Sequence, residues 1–151
     1  MTNRCVIHST FSLERVYATP PERVFEAWAD PAAKARWFSP DRPHELDFRV
    51  GGREVNRGHG PDGQILTFAS QYHDIVVDQR IAYTSTLSVG DNVVTLSLTT
   101  VELTPDGDST RLALTEHGAF LDGHEQPEWR EQGTGTWLDA LGAELNNRPG
   151  T

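Results

Sequence analysis

Glu116 stands in the run TRLALTEHGAFLDG, residues 110–123. Read as a strand, this segment projects Leu112, Leu114 and Glu116 to one face and Arg111, Ala113, Thr115 and His117 to the other. If the leucine face is buried, a carboxylate points inward, where a charge needs a partner or a use. In an apolar cavity its pKa would rise above the ordinary ~4.3, and the carboxyl could hydrogen-bond a ligand carbonyl or move a proton. Two other roles stay open: Glu116 pairs with an arginine, or the strand has already ended and it faces water.

Other chemistry has thinner support. The six histidines show no short metal-ligand spacing; His117 and His124 are seven apart, and His117 should face outward, so no metal is expected. No G-x-S-x-G, dinucleotide fingerprint or P-loop occurs, and the one cysteine, Cys5, precedes the first strand, so no cofactor is expected and nucleophilic catalysis lacks a candidate. Glu116 is the one ionisable group that reads as inward, which favours binding over proton-transfer catalysis and leaves an enzyme the less favoured reading. Asp47 and Arg49 lie two apart on the outer face of their strand, as a partner-binding surface or a solvated pair. Gly51 and Gly52 suit a tight turn or bulge and no phosphate, because no helix start follows them.

The elements that must position these residues follow from periodicity. Thr10–Ala18 alternates as a first strand. In TPPERVFEAW, Thr19 can cap a helix with Pro20 at its first position and Glu22 closing a capping box, and Val24, Phe25 and Trp28 form its apolar face. DPAAKARWF restarts with Asp30 as cap and Pro31 first inside, and Pro40 and Pro43 end that helix. From His44 to His117 the period is two, and turns such as GPDGQ, VGDN and TPDGDS divide the stretch into six strands of an antiparallel meander. Leu46, Phe48 and Val50 share one face of the first of these. Helical spacing returns from Pro127 to Asn146, with Trp137, Leu138, Leu141 and Leu145 on one stripe.

An antiparallel sheet with one long helix to cover its face should curl around that helix. Phe48, Phe68, Tyr72 and Tyr83 would then share the concave face with Ile81, Leu96 and Leu98, facing Trp129 and Trp137 on the last helix and Trp37 and Phe38 on the second. They line a pocket, with the tyrosine hydroxyls orienting a ligand, or they fill a core. Phe120 falls in the loop between the last strand and the helix, where an entrance would be, as gate or plug.

The chain has 151 residues, enough for one domain spanning 1–151. Thirteen basic against 22 acidic residues give a net charge of −9, which disfavours nucleic acid and anionic membrane surfaces. Lys34 is the one lysine. The start MTNRCVIHSTF lacks the apolar run of a signal peptide and no span is long enough to cross a bilayer, so a cytoplasmic protein without membrane insertion is expected.

Five segments, in this order, carry a resemblance: VFEAWADPAAKARWF (24–38), LDFRVGG (46–52), YHDIVVDQRIAYT (72–84), LTEHGAFLDG (114–123) and the helix pattern at Gly133, Leu138, Asp139, Ala140 and Leu141. Together they resemble the START-like (SRPBCC) superfamily that includes birch-pollen allergens and polyketide cyclases. The closer resemblance is to the branch named for the activator of the ninety-kilodalton heat-shock protein's ATPase. One departure is Thr134, where many members carry tryptophan, leaving Trp137 one turn later to fill that space. The resemblance implies an α+β helix-grip fold in β-α-α-β6-α order, with a curved antiparallel sheet around a long C-terminal helix and an apolar cavity between them. Its members bind lipids, hormones or polyketides, and some catalyse. The expected partner is a small apolar or amphipathic ligand. A cyclase- or hydratase-like enzyme, a co-chaperone-like domain with a protein partner, and a homodimer stay open.

Overall fold

Two consecutive prolines separate the first strand from the first helix. In the computed structural model, which describes residues 4–60 and 62–147, β1 (Val6–Tyr17) ends just before them. Pro20 is extended, with ψ of 160°, and α1 (Pro21–Ala29) starts at Pro21 without any side-chain cap. The expected capping box does not form. A residue that precedes proline is disfavoured in helical conformation, so the helix begins one position later than the sequence suggests. The Thr19 carbonyl instead accepts the Thr110 hydroxyl at 2.7 Å. α2 (Pro31–Phe38) starts as expected, with the Asp30 carboxylate accepting the Ala33 N–H at 2.9 Å.

The meander is β2 (His44–Leu46), β3 (Arg53–His59), β4 (Ile65–Val76), β5 (Arg80–Val89), β6 (Asn92–Asp106) and β7 (Ser109–Leu121), and α3 (Pro127–Asn147) closes the chain. Sheet order is β1-β7-β6-β5-β4-β3-β2, antiparallel throughout. The curved seven-stranded sheet and the helix it holds constitute a helix-grip fold.

Three strand expectations are corrected. First, β2 stops at Leu46 and the chain turns through residues 47–52, leaving Val50 exposed and Asp47 and Arg49 as a solvent-facing ion pair at 2.8 Å in the turn. Gly51 has φ of +85°, and a Cβ on Gly52 would stand 2.0 Å from the Asp47 carbonyl oxygen, so this turn needs both glycines. Second, Leu96 and Leu98 lie on the outer face, 44% and 43% exposed, while Thr95, Ser97 and Thr99 point inward. Register sets this parity: Thr99 stands opposite both Tyr83 and Glu116, and Ser97 opposite Ser85 and Gly118. Third, β7 continues to Leu121, so Phe120 lies within the strand, paired with Ile7 and Thr95 and 2% exposed. Phe120 is therefore neither gate nor plug of a loop. His117 faces outward, 3.0 Å from the Thr10 hydroxyl.

α3 turns Thr134, Leu138, Leu141 and Leu145 onto the sheet, each buried leucine contributing roughly 1.5–3 kcal/mol. Beneath them lie Val101, Leu103, Leu112 and Leu114. The Tyr17 hydroxyl fixes the helix along its axis by donating to the Leu138 carbonyl at 2.8 Å. No described helix is long and apolar enough to cross a membrane.

Candidate functional site

Glu116 points to the concave side, 5% exposed, towards the first turns of α3. Its Oε1 accepts the Thr99 hydroxyl at 3.1 Å and its Oε2 accepts Arg130 Nη1 at 3.3 Å. Arg130 is also buried, and its Nε and Nη2 form a two-pronged contact with Glu125 at 3.0 and 2.9 Å. The Thr95 hydroxyl donates to the same Glu125 at 2.7 Å. The inward threonines of β6 thus supply hydrogen bonds to both carboxylates. One guanidinium serves two of them, and burial pushes the Glu116 carboxyl above its ordinary value, opposed by Arg130 and reinforced by Glu125. Of the roles open for Glu116 in the sequence, pairing with an arginine is the arrangement present.

Two spaces adjoin this group. A small inner void of about 20 Å³, room for about one water, is bounded by Glu116, Tyr83, Trp37, Phe38 and Trp28, among others. Trp28 is 2% exposed, and its indole N–H is buried without an acceptor. An open cleft of about 230 Å³ lies between β3–β5 and α3, lined by Arg42, Leu66, Leu87, Glu125, Trp129 and Arg130. Phe68, Thr134 and Trp137 line both spaces and separate them. Trp137 packs on Phe38 with ring centroids 4.5 Å apart and on Phe68 at 6.0 Å, which is how this chain fills the interior beside Thr134. A wider groove of about 1330 Å³ at the other end of α3 is rimmed by charged side chains and contains none of the expected site residues.

The expected site residues therefore divide. Glu116, Tyr83, Trp37, Phe68 and Trp137 surround the void, and Trp129, 60% exposed, stands at the cleft. Tyr72, Phe48 and Phe120 border neither space. Phe48 packs edge-on against Phe25 and Tyr72 at 5.6 and 5.0 Å.

Tyr72 belongs instead to a second buried group that sequence reasoning missed. Glu54 Oε1 accepts Lys34 Nζ at 3.0 Å and the Tyr72 hydroxyl at 2.7 Å, and its Oε2 accepts His44 Nε2–H at 2.7 Å. Burial pushes Glu54 up, but Lys34 and the hydrogen bonds from His44 and Tyr72 outweigh it and hold the carboxyl down at about 2. Burial draws Lys34 below its ordinary value against the pull of Glu54. Its ammonium lies 4.8, 5.4 and 4.5 Å from the ring centroids of Trp28, Trp37 and Phe38. Burial and Glu54 raise the Tyr72 hydroxyl well above the ordinary phenol range.

The expectation of a single inward ionisable group is thus overturned, because Lys34, Glu54 and Arg130 are inward as well. Arg130 carries a signal, since it lies four residues before Thr134 on the stripe that continues through Leu138. Glu54 and Asn56 carry none: they alternate with Val55, so hydropathy points their strand the wrong way. Among the described residues, no cluster of three or more histidine, cysteine or acidic side chains is arranged to hold a metal ion.

Comparison with known proteins matches residues 18–146 to the profile of the Activator of Hsp90 ATPase homolog 1-like protein family. A solved structure from Rhizobium leguminosarum superposes with a TM-score of 0.92 at 36% identity, covering 97% of this chain and 100% of that one. One from Rhizobium loti gives 0.87 at 48% identity, covering 93% and 99%. One from Chromobacterium violaceum gives 0.74 at 30% identity, covering 89% and 94%. No curated protein matches the chain.

Proposed function

We propose that this chain, which belongs to the Activator of Hsp90 ATPase homolog 1-like protein family, binds a small hydrophobic or amphipathic molecule between its sheet and α3. One observation carries the proposal: Phe68, Thr134 and Trp137 line both the open cleft and the inner void at Glu116. Rotation of two aromatic side chains would join the spaces into one site, apolar along its walls with a carboxyl at its inner end. That is the usual composition of a small-molecule site.

A cyclase- or hydratase-like activity is the second reading. It is supported by the upward displacement of the Glu116 carboxyl beside the void, the direction that favours a proton donor. Both Glu116 oxygens are engaged, by Thr99 and Arg130, which favours binding.

Native mass spectrometry of freshly purified protein, compared with its denatured mass, tests the proposal. A reproducible extra mass that is lost on denaturation supports a ligand site. No extra mass, together with a melting temperature unmoved by a panel of lipids and aromatic compounds, would overturn it and turn attention to protein partners on the exterior.

A further inference from the structure

The two arginines that line the cleft are in opposite electrostatic situations. Arg130, at the inner end, has its N–H groups committed to Glu116 and Glu125, and these two carboxylates outnumber it. Arg42, on the link between α2 and β2, is exposed, and its guanidinium forms no ion pair or side-chain hydrogen bond among the described residues. It lies over Gly58, where a Cβ would come within 3.4 Å of Nη1 and 3.6 Å of Cζ. The planar group therefore rests within van der Waals reach of the strand backbone at the cleft. The apolar part of the wall is made by Leu66, Phe68 and Leu87 on the sheet and by Trp129 and Trp137 on α3, and Asn56 and His59 of β3 line the cleft as well.

This charge order constrains what can lie in the cleft. An anion at the inner end would meet a group already carrying one carboxylate in excess. An anion at the outer end would meet five N–H donors with no protein partner, in a fork that suits a two-oxygen head. Arg53 and Arg57 on β3 also carry guanidinium groups without such partners among the described residues, but of the three only Arg42 lines the cleft.

From this order we infer that the cleft selects an amphiphile with an oxyanion head, its apolar body pointing inward along Phe68 and Trp137 and its head held at the rim by Arg42. This inference rests on the proposal that the cleft binds a ligand, and it adds the class and orientation of that ligand. Carboxylate and phosphate heads share the required chemistry.

Isothermal titration of the wild type, Arg42→Gln and Arg42→Glu with decanoate, decyl phosphate, decan-1-ol and decylamine tests it. The wild type should bind decanoate, decyl phosphate or both about tenfold more tightly than decan-1-ol, the worth of one charge-assisted contact at a partly solvated site. Arg42→Gln should remove that advantage while leaving decan-1-ol binding unchanged, and Arg42→Glu should favour decylamine. Preference for one of the two anions identifies the head group. Equal binding of all four probes by the wild type, or an anion preference that survives in Arg42→Gln, would overturn the inference while leaving the binding proposal standing. Binding of none of the four would overturn both.

Discussion

Glu116 on β7 and Arg130 on α3 meet at 3.3 Å across the interface between sheet and helix, and the side chains of both are 6% exposed. They join the sheet to the helix it grips at the inner end of the cleft. Because Arg130 also holds Glu125, its removal leaves two neighbouring carboxylates with no counter-charge.

Arg130→Met should therefore lower stability at pH 7 by about 3–5 kcal/mol, the range for breaking a buried ion pair from one side. The loss should shrink at lower pH, where Glu116 takes up a proton. Glu116→Gln gives the complementary result. The folded-state value of Glu116 is raised above 4.5, so its contribution to stability is fully present below 4.5 and declines as pH rises through the raised value. The stability of the wild type relative to Glu116→Gln should thus fall as pH rises above 4.5. Urea denaturation as a function of pH measures both, and a gap that widened with pH would contradict this account.

Lys34 and Glu54 make a second buried pair, with side chains 2% and 3% exposed. Lys34→Met leaves Glu54 only the donors of His44 and Tyr72, and should cost about 3 kcal/mol or more. The double variant Lys34→Met/Glu54→Gln removes both charges and should recover part of that loss. A double-mutant cycle by chemical denaturation reads the coupling, and additive effects of the two substitutions would show that the ion pair is energetically idle.

Acid should act through Glu54. Its carboxyl is held at about 2 against an ordinary 4.5, so its contribution to stability is present above 4.5 and is lost as pH falls towards 2. At about 1.4 kcal/mol per pH unit, the span amounts to about 3 kcal/mol. Glu54→Gln should be less stable than the wild type at pH 6, and the difference should close on acidification. A difference independent of pH would mean that Glu54 acts through packing and neutral hydrogen bonds alone.

Much of this arrangement is legible in the sequence, for physical reasons that differ by element. Asp30 followed by proline marks α2 because a carboxylate caps orphaned amides wherever the fold places it. The stripe through Leu138, Leu141 and Leu145 marks the buried side of α3 because burial there follows the helical period. Strand faces are harder to read where polar residues point inward. Glu54 faces in because Lys34, His44 and Tyr72 converge on it from α2, β2 and β4, and no window of sequence contains that convergence. Thr99 and Leu98 exchange faces for a similar reason, since Glu116 on the next strand needs a hydroxyl partner. The sequence points to Glu116, but the arginine that answers it comes fourteen residues later, on another element.

Trp137 is the residue on which the two spaces turn. It packs against Phe38 and Phe68 and bounds the cleft on one side and the void on the other. Trp137→Ala should merge them, at a cost of about 2–3 kcal/mol, below the usual range for a large aromatic because the ring is only half-buried. The merged space would remain bounded by Phe38, Phe68 and Leu138. A rigid apolar probe such as naphthalene should therefore raise the melting temperature of Trp137→Ala more than that of the wild type, because the probe replaces the contacts that the indole supplied. Substitution of Trp129, 60% exposed at the outer side of the cleft, should produce no such gain. Equal shifts in Trp137→Ala and the wild type would show that the void and the cleft do not communicate, and would remove the principal support for a ligand reaching Glu116.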